Sequence, residues 1–154
     1  MARSRREILE GYLDVMNGQH LDRAEEFLTP DYVEEWPQSG ERVVGLENMR
    51  AIVRNYPGGF DAGRFDREHA RVVGEDEEYV VGPSFSIIHL GGSGDTWTAV
   101  SLVRYPDGSR WHAVLLAEFR GDKIARITSY FAPELPAPEW RAGWVEPIRH
   151  AEHV

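Results

Sequence analysis

The sequence predicts an α+β fold in which three N-terminal helices cover the concave face of a curved, mainly antiparallel sheet. Apolar residues recur at helical spacing only before about residue 57. Beyond it, runs rich in β-branched and aromatic residues take over, separated by short turn sequences that join antiparallel neighbours. Helices grouped first and a meander grouped second is the arrangement in which helices pack on one side of a sheet.

Ser4 and Glu7 have the spacing of a capping box, and Ile8, Leu9, Tyr12, Leu13, Val15 and Met16 behind them fall on one helical face, so the first helix runs to Gly18. Leu21, Ala24, Phe27 and Leu28 predict a short second helix that Thr29-Pro30 stops, because proline disfavours helical geometry in the residue before it. Residues Tyr32 to Trp36 read as a strand. Leu46, Met49, Val53 and Tyr56 predict a third helix between Gly45 and Pro57-Gly58-Gly59. Strands follow at about 64–73, 79–90, 96–105, 110–120 and 123–131, punctuated by Gly74-Glu75-Asp76, Gly91-Gly92-Ser93-Gly94-Asp95, Pro106-Asp107-Gly108 and Gly121-Asp122. The layout makes residues 1–132 one domain. Residues 133–154 form a tail whose prolines forbid a continuous helix and whose Trp140 and Trp144 predict packing on or near that domain.

With 154 residues, one domain of this length buries roughly 70% of its unfolded surface, enough to enclose a pocket. The formal charge of −9 makes nucleic acid and anionic membrane surfaces poor partners. No cysteine is present, which removes disulfides, thiolate nucleophiles and sulfur-ligated zinc, and fits a reducing compartment. Arg3, Arg5 and Arg6 are followed by Glu7 and Glu10 where a signal peptide needs an apolar stretch. The expected location is the cytoplasm. The longest apolar run, Ala113 to Ala117, falls far short of the ~20 residues of a membrane-spanning helix.

Several stretches resemble the nuclear transport factor 2-like superfamily of ketosteroid isomerases and SnoaL-type polyketide cyclases. Tyr12 to Pro37 is similar in spacing to the isomerase's first helix, second-helix start at Leu21-Asp22 and strand end Val33-Glu34-Glu35-Trp36-Pro37. Phe119-Arg120-Gly121-Asp122-Lys123-Ile124 resembles a SnoaL-type hairpin with Gly and Asp exchanged, and Tyr130-Phe131 resembles the aromatic pair closing the last strand. The resemblance covers residues 5–131 and implies a cone-shaped α+β barrel around a pocket for a small, mostly apolar, polyketide- or steroid-like molecule. It places the isomerase's oxyanion-binding tyrosine on Tyr12, its general-base aspartate on Trp36, the acid of its oxyanion hole on Leu115 and a supporting tyrosine on Val53. Leu115 also takes the position of the cyclases' proton-transfer aspartate. Tryptophan and leucine exchange no proton at neutral pH, so the resemblance implies the container without the family's catalysts.

If Leu115 faces the cavity, alternation turns Trp111, Ala113, Ala117 and Phe119 the same way and sends His112, Val114, Leu116 and Glu118 outward. On the last strand it turns Ala125, Ile127, Ser129 and Phe131 inward, leaving Ser129 a lone hydroxyl in an oily wall. Val114 and Leu116 are too apolar for a solvated face, which predicts a homodimer through the convex side of the sheet. Glu34 shares phase with Trp36. It is either a general base bordering the pocket or a solvated strand-edge carboxylate. Tyr12 is either a hydrogen-bond donor to a ligand oxygen or a core tyrosine. His112 becomes a proton carrier if a one-residue bulge turns it inward, and otherwise belongs to the dimer face with Glu118.

The candidate catalytic set is thus Tyr12, Glu34 and His112, and the ligand-binding set Trp36, Trp111, Leu115, Ser129 and Phe131. Gly91-Gly92-Ser93-Gly94 lacks the helix that a nucleophile elbow or phosphate cradle requires. His150 and His153 lie in the tail beside Glu146 and Glu152 and read as solvent-facing residues, so neither metal nor cofactor is expected. Three functions follow: a cofactor-free isomerase, cyclase, dehydratase or hydrolase, a non-catalytic carrier or sensor with the same cavity, and a structural dimer that has lost its ligand and works through its surface.

Overall fold

A computed structural model describes residues 2–18, 20–55, 84–105 and 108–148. The expected strand at 64–73, the start of the one at 79–90, the end of the third helix, the turns at 74–76 and 106–107, and His150 and His153 lie outside these residues.

Helix α1 spans Arg5–Gly18. Its capping box forms as the sequence predicts, with the Ser4 N–H donating to Glu7 Oε2 at 2.6 Å and the Glu7 N–H donating to Ser4 Oγ at 3.3 Å. The Ser4 N–H, and then the Ser4 hydroxyl donating to Glu7 Oε2 at 2.8 Å, hold the exposed Glu7 carboxyl below its ordinary range. The second helix is a 3-10 turn, Leu21–Glu26. Thr29-Pro30 does not stop it, because strand β1 already begins at Leu28 and runs to Trp36. Proline is tolerated there because the pairing of β1 is irregular between Leu28 and Val33, where a missing N–H breaks no ladder bond.

A short strand β2, Glu41–Val44, which the sequence reading omits, returns antiparallel to β1 and leads into helix α2, Leu46–Arg54. Strands β3 (Ser84–Ser93), β4 (Thr96–Arg104), β5 (Arg110–Arg120) and β6 (Lys123–Pro133) form the meander. The hairpin between β3 and β4 is tighter than its glycines suggest, since Gly91, Gly92 and Ser93 belong to β3 and only Gly94-Asp95 turn.

The described strands make one six-stranded sheet in the order β2-β1-β6-β5-β4-β3, antiparallel except where β1 meets β6 in parallel. Among the described residues the sheet stays open, with β2 and β3 at its edges. Alternation on β5 holds, with Ala113, Leu115, Ala117 and Phe119 buried and Leu116 and Glu118 exposed. On β6 a bulge opposite Glu118 and Phe119 leaves Ala125 unpaired, so Ile124 instead of Ala125 points inward. Ile127 and Ser129 keep the expected phase. The inward set packs against Ile8, Leu9, Tyr12 and Leu13 of α1 and Met49 and Val53 of α2 in one core.

Among the described residues no helix is long and apolar enough to cross a membrane. Every residue from Ala132 to Ile148 is exposed, and Trp140 at 74% and Trp144 at 82% are not buried on the described part of the domain. The pairing of β6 reaches Pro133, and the Glu134 N–H donates to the Arg110 carbonyl at 3.0 Å, which carries the domain's end just past 132.

Candidate functional site

Between α1, α2 and the inner face of the sheet lies a cavity of about 210 Å³. The resemblance named four equivalents of isomerase residues, Tyr12, Trp36, Val53 and Leu115, and all four line it. So do Glu34, Ser129 and Phe131. The other described wall residues are apolar apart from Tyr105, and Ile52, 40% exposed, marks the mouth.

Glu34 is not a solvated edge residue. Strand alternation puts Tyr32, Glu34 and Trp36 on the inner side of β1, and Glu34 is 8% exposed. Its Oε1 accepts hydrogen bonds from Trp36 Nε1 at 3.0 Å and from Ser129 Oγ at 2.9 Å, and its Oε2 accepts one from the Tyr32 hydroxyl. Ser129 is therefore not a lone hydroxyl but the β6 partner of the β1 carboxylate. Three donors around a carboxyl that donates nothing is the arrangement of an ionised carboxylate.

Tyr12 sits on the buried face of α1 at 3% exposure. Tyr12, Tyr32 and Glu34 are buried close enough together to shift one another's ionisation, and the Tyr32 hydroxyl donates to Glu34. Burial first, and the Glu34 charge second, push the Tyr12 hydroxyl well above the ordinary phenol value, while the neighbouring Tyr32 hydroxyl pulls the other way. Burial also lifts Tyr32, with the Tyr12 and Glu34 charges adding to it. Both phenols stay protonated at neutral pH and can act as donors.

Trp111 faces the inner side but stands behind the cavity wall. Its Nε1 donates to Ser109 Oγ at 3.0 Å, and its ring meets Tyr105, a wall residue, edge-on at 5.8 Å between centroids. It supports the wall instead of lining it. His112 lies on the opposite face. Trp111 to Glu118 of β5 pair with β4 and β6 without a shift, so no bulge turns the imidazole inward, and its Nε2 is 3.5 Å from Glu134 Oε1 on the outer side. The cavity is built without it. Tyr32 is the functional residue that the sequence reading passed over, although its phase two residues before Glu34 pointed to the same face. Among the described residues no three His, Asp or Glu side chains come together as a metal site.

The sequence matches the family model of the SnoaL-like domain over residues 9–127. No curated protein matches it significantly. Among solved structures, an NTF2-like protein of unknown function from Burkholderia xenovorans LB400 is 27% identical, with 93% of this chain and 94% of that one covered and a TM-score of 0.69. A protein from Kribbella flavida DSM 17836, provisionally named a ketosteroid isomerase, is 20% identical over 96% of this chain and 90% of that one, with a TM-score of 0.70. A provisionally named polyketide cyclase from Sinorhizobium meliloti is 16% identical over 80% and 93%, with a TM-score of 0.57. At such identities the last two likenesses speak for the fold.

Proposed function

The chain belongs to the SnoaL-like domain family, and from that premise we propose that it binds a small, mostly apolar molecule in the cavity and transfers a proton on it without a cofactor. The observation that carries this reading is the Glu34 carboxylate, held on the cavity wall by Tyr32, Trp36 and Ser129, with Tyr12 lining the same cavity. The isomerase's base position holds tryptophan here, yet two residues earlier on the same strand face a carboxylate reaches the same cavity. In this reading Glu34 takes the proton and Tyr12 donates to the oxygen on which negative charge grows. Trp36, Leu115 and Phe131 shape the space around the molecule.

About 210 Å³ is below the ~300 Å³ at which drug-sized pockets begin, which favours a one- or two-ring molecule over a steroid skeleton. A carrier that holds the same molecule without turning it over is the second reading, favoured by Leu115 standing where both family mechanisms place an acid.

Native mass spectrometry of freshly purified protein identifies any molecule carried in the cavity, and a panel of small enones and epoxides tests turnover. Glu34→Gln and Tyr12→Phe are each expected to lower kcat by about 100-fold or more. A molecule that binds the parent protein and is returned unchanged would decide for the carrier.

A further inference from the structure

The ligand's polar group has a chemistry that the cavity itself indicates. Among the described residues Glu34 is the one formal charge lining the cavity, and the three groups bonded to it are neutral, two hydroxyls and an indole N–H. None of the ion pairs among the described residues includes it. From the described residues its Oε1 accepts two hydrogen bonds and its Oε2 one, so Oε2 keeps acceptor capacity for a further donor. Around it the wall presents the rings of Tyr12, Trp36, Tyr105 and Phe131.

A neutral apolar molecule filling this space would strip solvent from a carboxylate and return nothing for it. An anion would add repulsion at short range in a medium of low dielectric. An organic cation does the reverse, because its N–H groups occupy the open oxygen while its charge is attracted to the faces of the surrounding rings. The −9 charge of the whole chain draws cations toward it as well.

We infer that the cavity is selective for a small amine in its ammonium form, with an apolar body against Leu13, Met49 and Leu115 and its nitrogen at Glu34 Oε2. The inference rests on the cavity part of the proposed function and is independent of turnover.

Isothermal titration of the full chain at neutral pH with three probes of one shape tests it: phenethylammonium, phenethyl alcohol and phenylacetate. The ammonium is expected to bind about tenfold or more tighter than the alcohol, and phenylacetate more weakly than either. In Glu34→Gln the preference for the ammonium over the alcohol should vanish. Alcohol binding without an ammonium advantage in the parent protein overturns the inference and leaves the cavity reading intact. So does an advantage that persists in a folded Glu34→Gln. Failure of all three probes to bind sinks both. The comparison of probes on the parent protein needs no variant, so a Glu34→Gln that fails to fold does not weaken the test.

Discussion

At Glu34 a single carboxylate depends on residues from two strands that are far apart in the chain. Its phase was legible in the sequence because period-two alternation ties it to Tyr32 and Trp36. Its partners were not. The bond to Ser129 comes from the parallel pairing of β1 with β6, and no short-range pattern encodes which strands become neighbours across such a crossover. His112 shows the opposite case, where a bulge was the condition for an inward side chain and the regular β4–β5–β6 ladder removed that condition. Tyr12 and Tyr32 also give the fold a signature at alkaline pH. Both are raised above 10.0 in the folded state, so the folded chain keeps protons that the unfolded chain releases. Their contribution is full below the unfolded phenol value and is lost as pH rises above it. Urea unfolding followed from about pH 9 to 11 should show stability falling with pH, and Tyr12→Phe should make that fall shallower. Equal slopes for the two proteins would remove the argument.

The elements most legible in the sequence were those with local causes. The capping box fixed the start of α1, and alternating runs fixed β4, β5 and β6 to within two residues. Errors arose where tertiary pairing overrode a local signal, as at Pro30 inside β1, or where the element was very short, as with β2. Two close approaches explain how the elements seat on one another. A side chain at Gly92 would begin 2.5 Å from the Thr96 carbonyl oxygen and 2.6 Å from Trp97 Cα, so the β3–β4 hairpin closes only around glycine. Gly11 presents a bare backbone to the Phe27 ring, with a Cβ there falling 2.4 Å from the ring edge. Gly11→Ala would gain about 1 kcal/mol of helix propensity. Against this, overpacking against a buried ring costs about 1–3 kcal/mol. Both Gly92→Ala and Gly11→Ala should therefore lower the urea midpoint, and Phe27→Leu should partly relieve the second. A midpoint raised by Gly11→Ala would mean that Phe27 moves aside freely.

For the molecule as a whole, the outer side of the sheet is the open account. Val100 and Leu102 on β4, Val114 and Leu116 on β5 and Tyr130 on β6 form a continuous apolar patch, since Val114 pairs directly with Val100 and Tyr130, and Leu116 is 38% and Tyr130 43% exposed. Such a face on an antiparallel sheet ordinarily carries polar residues, and its apolar character supports the proposed homodimer. The exposed Leu135, Trp140, Trp144 and Ile148 of the tail continue from the same β6 and would find cover in the same assembly. Sedimentation of the full chain should report a dimer mass, and Leu116→Asp with Tyr130→Asp should reduce it to a monomer with its core intact. A parent protein that sediments as a monomer at micromolar concentration would end that proposal.

The meeting of β1 with β6 also bears on how the chain is made. Ribosomes deliver Glu34 long before Ser129, and the first strand waits without its inner neighbour until almost the last of the meander has emerged. A nascent chain halted before β6 would hold a charged carboxylate among greasy helices with one of its anchors still unsynthesised. Folding during translation would then stall on that charge, and the pocket would be born in one late, all-or-none step.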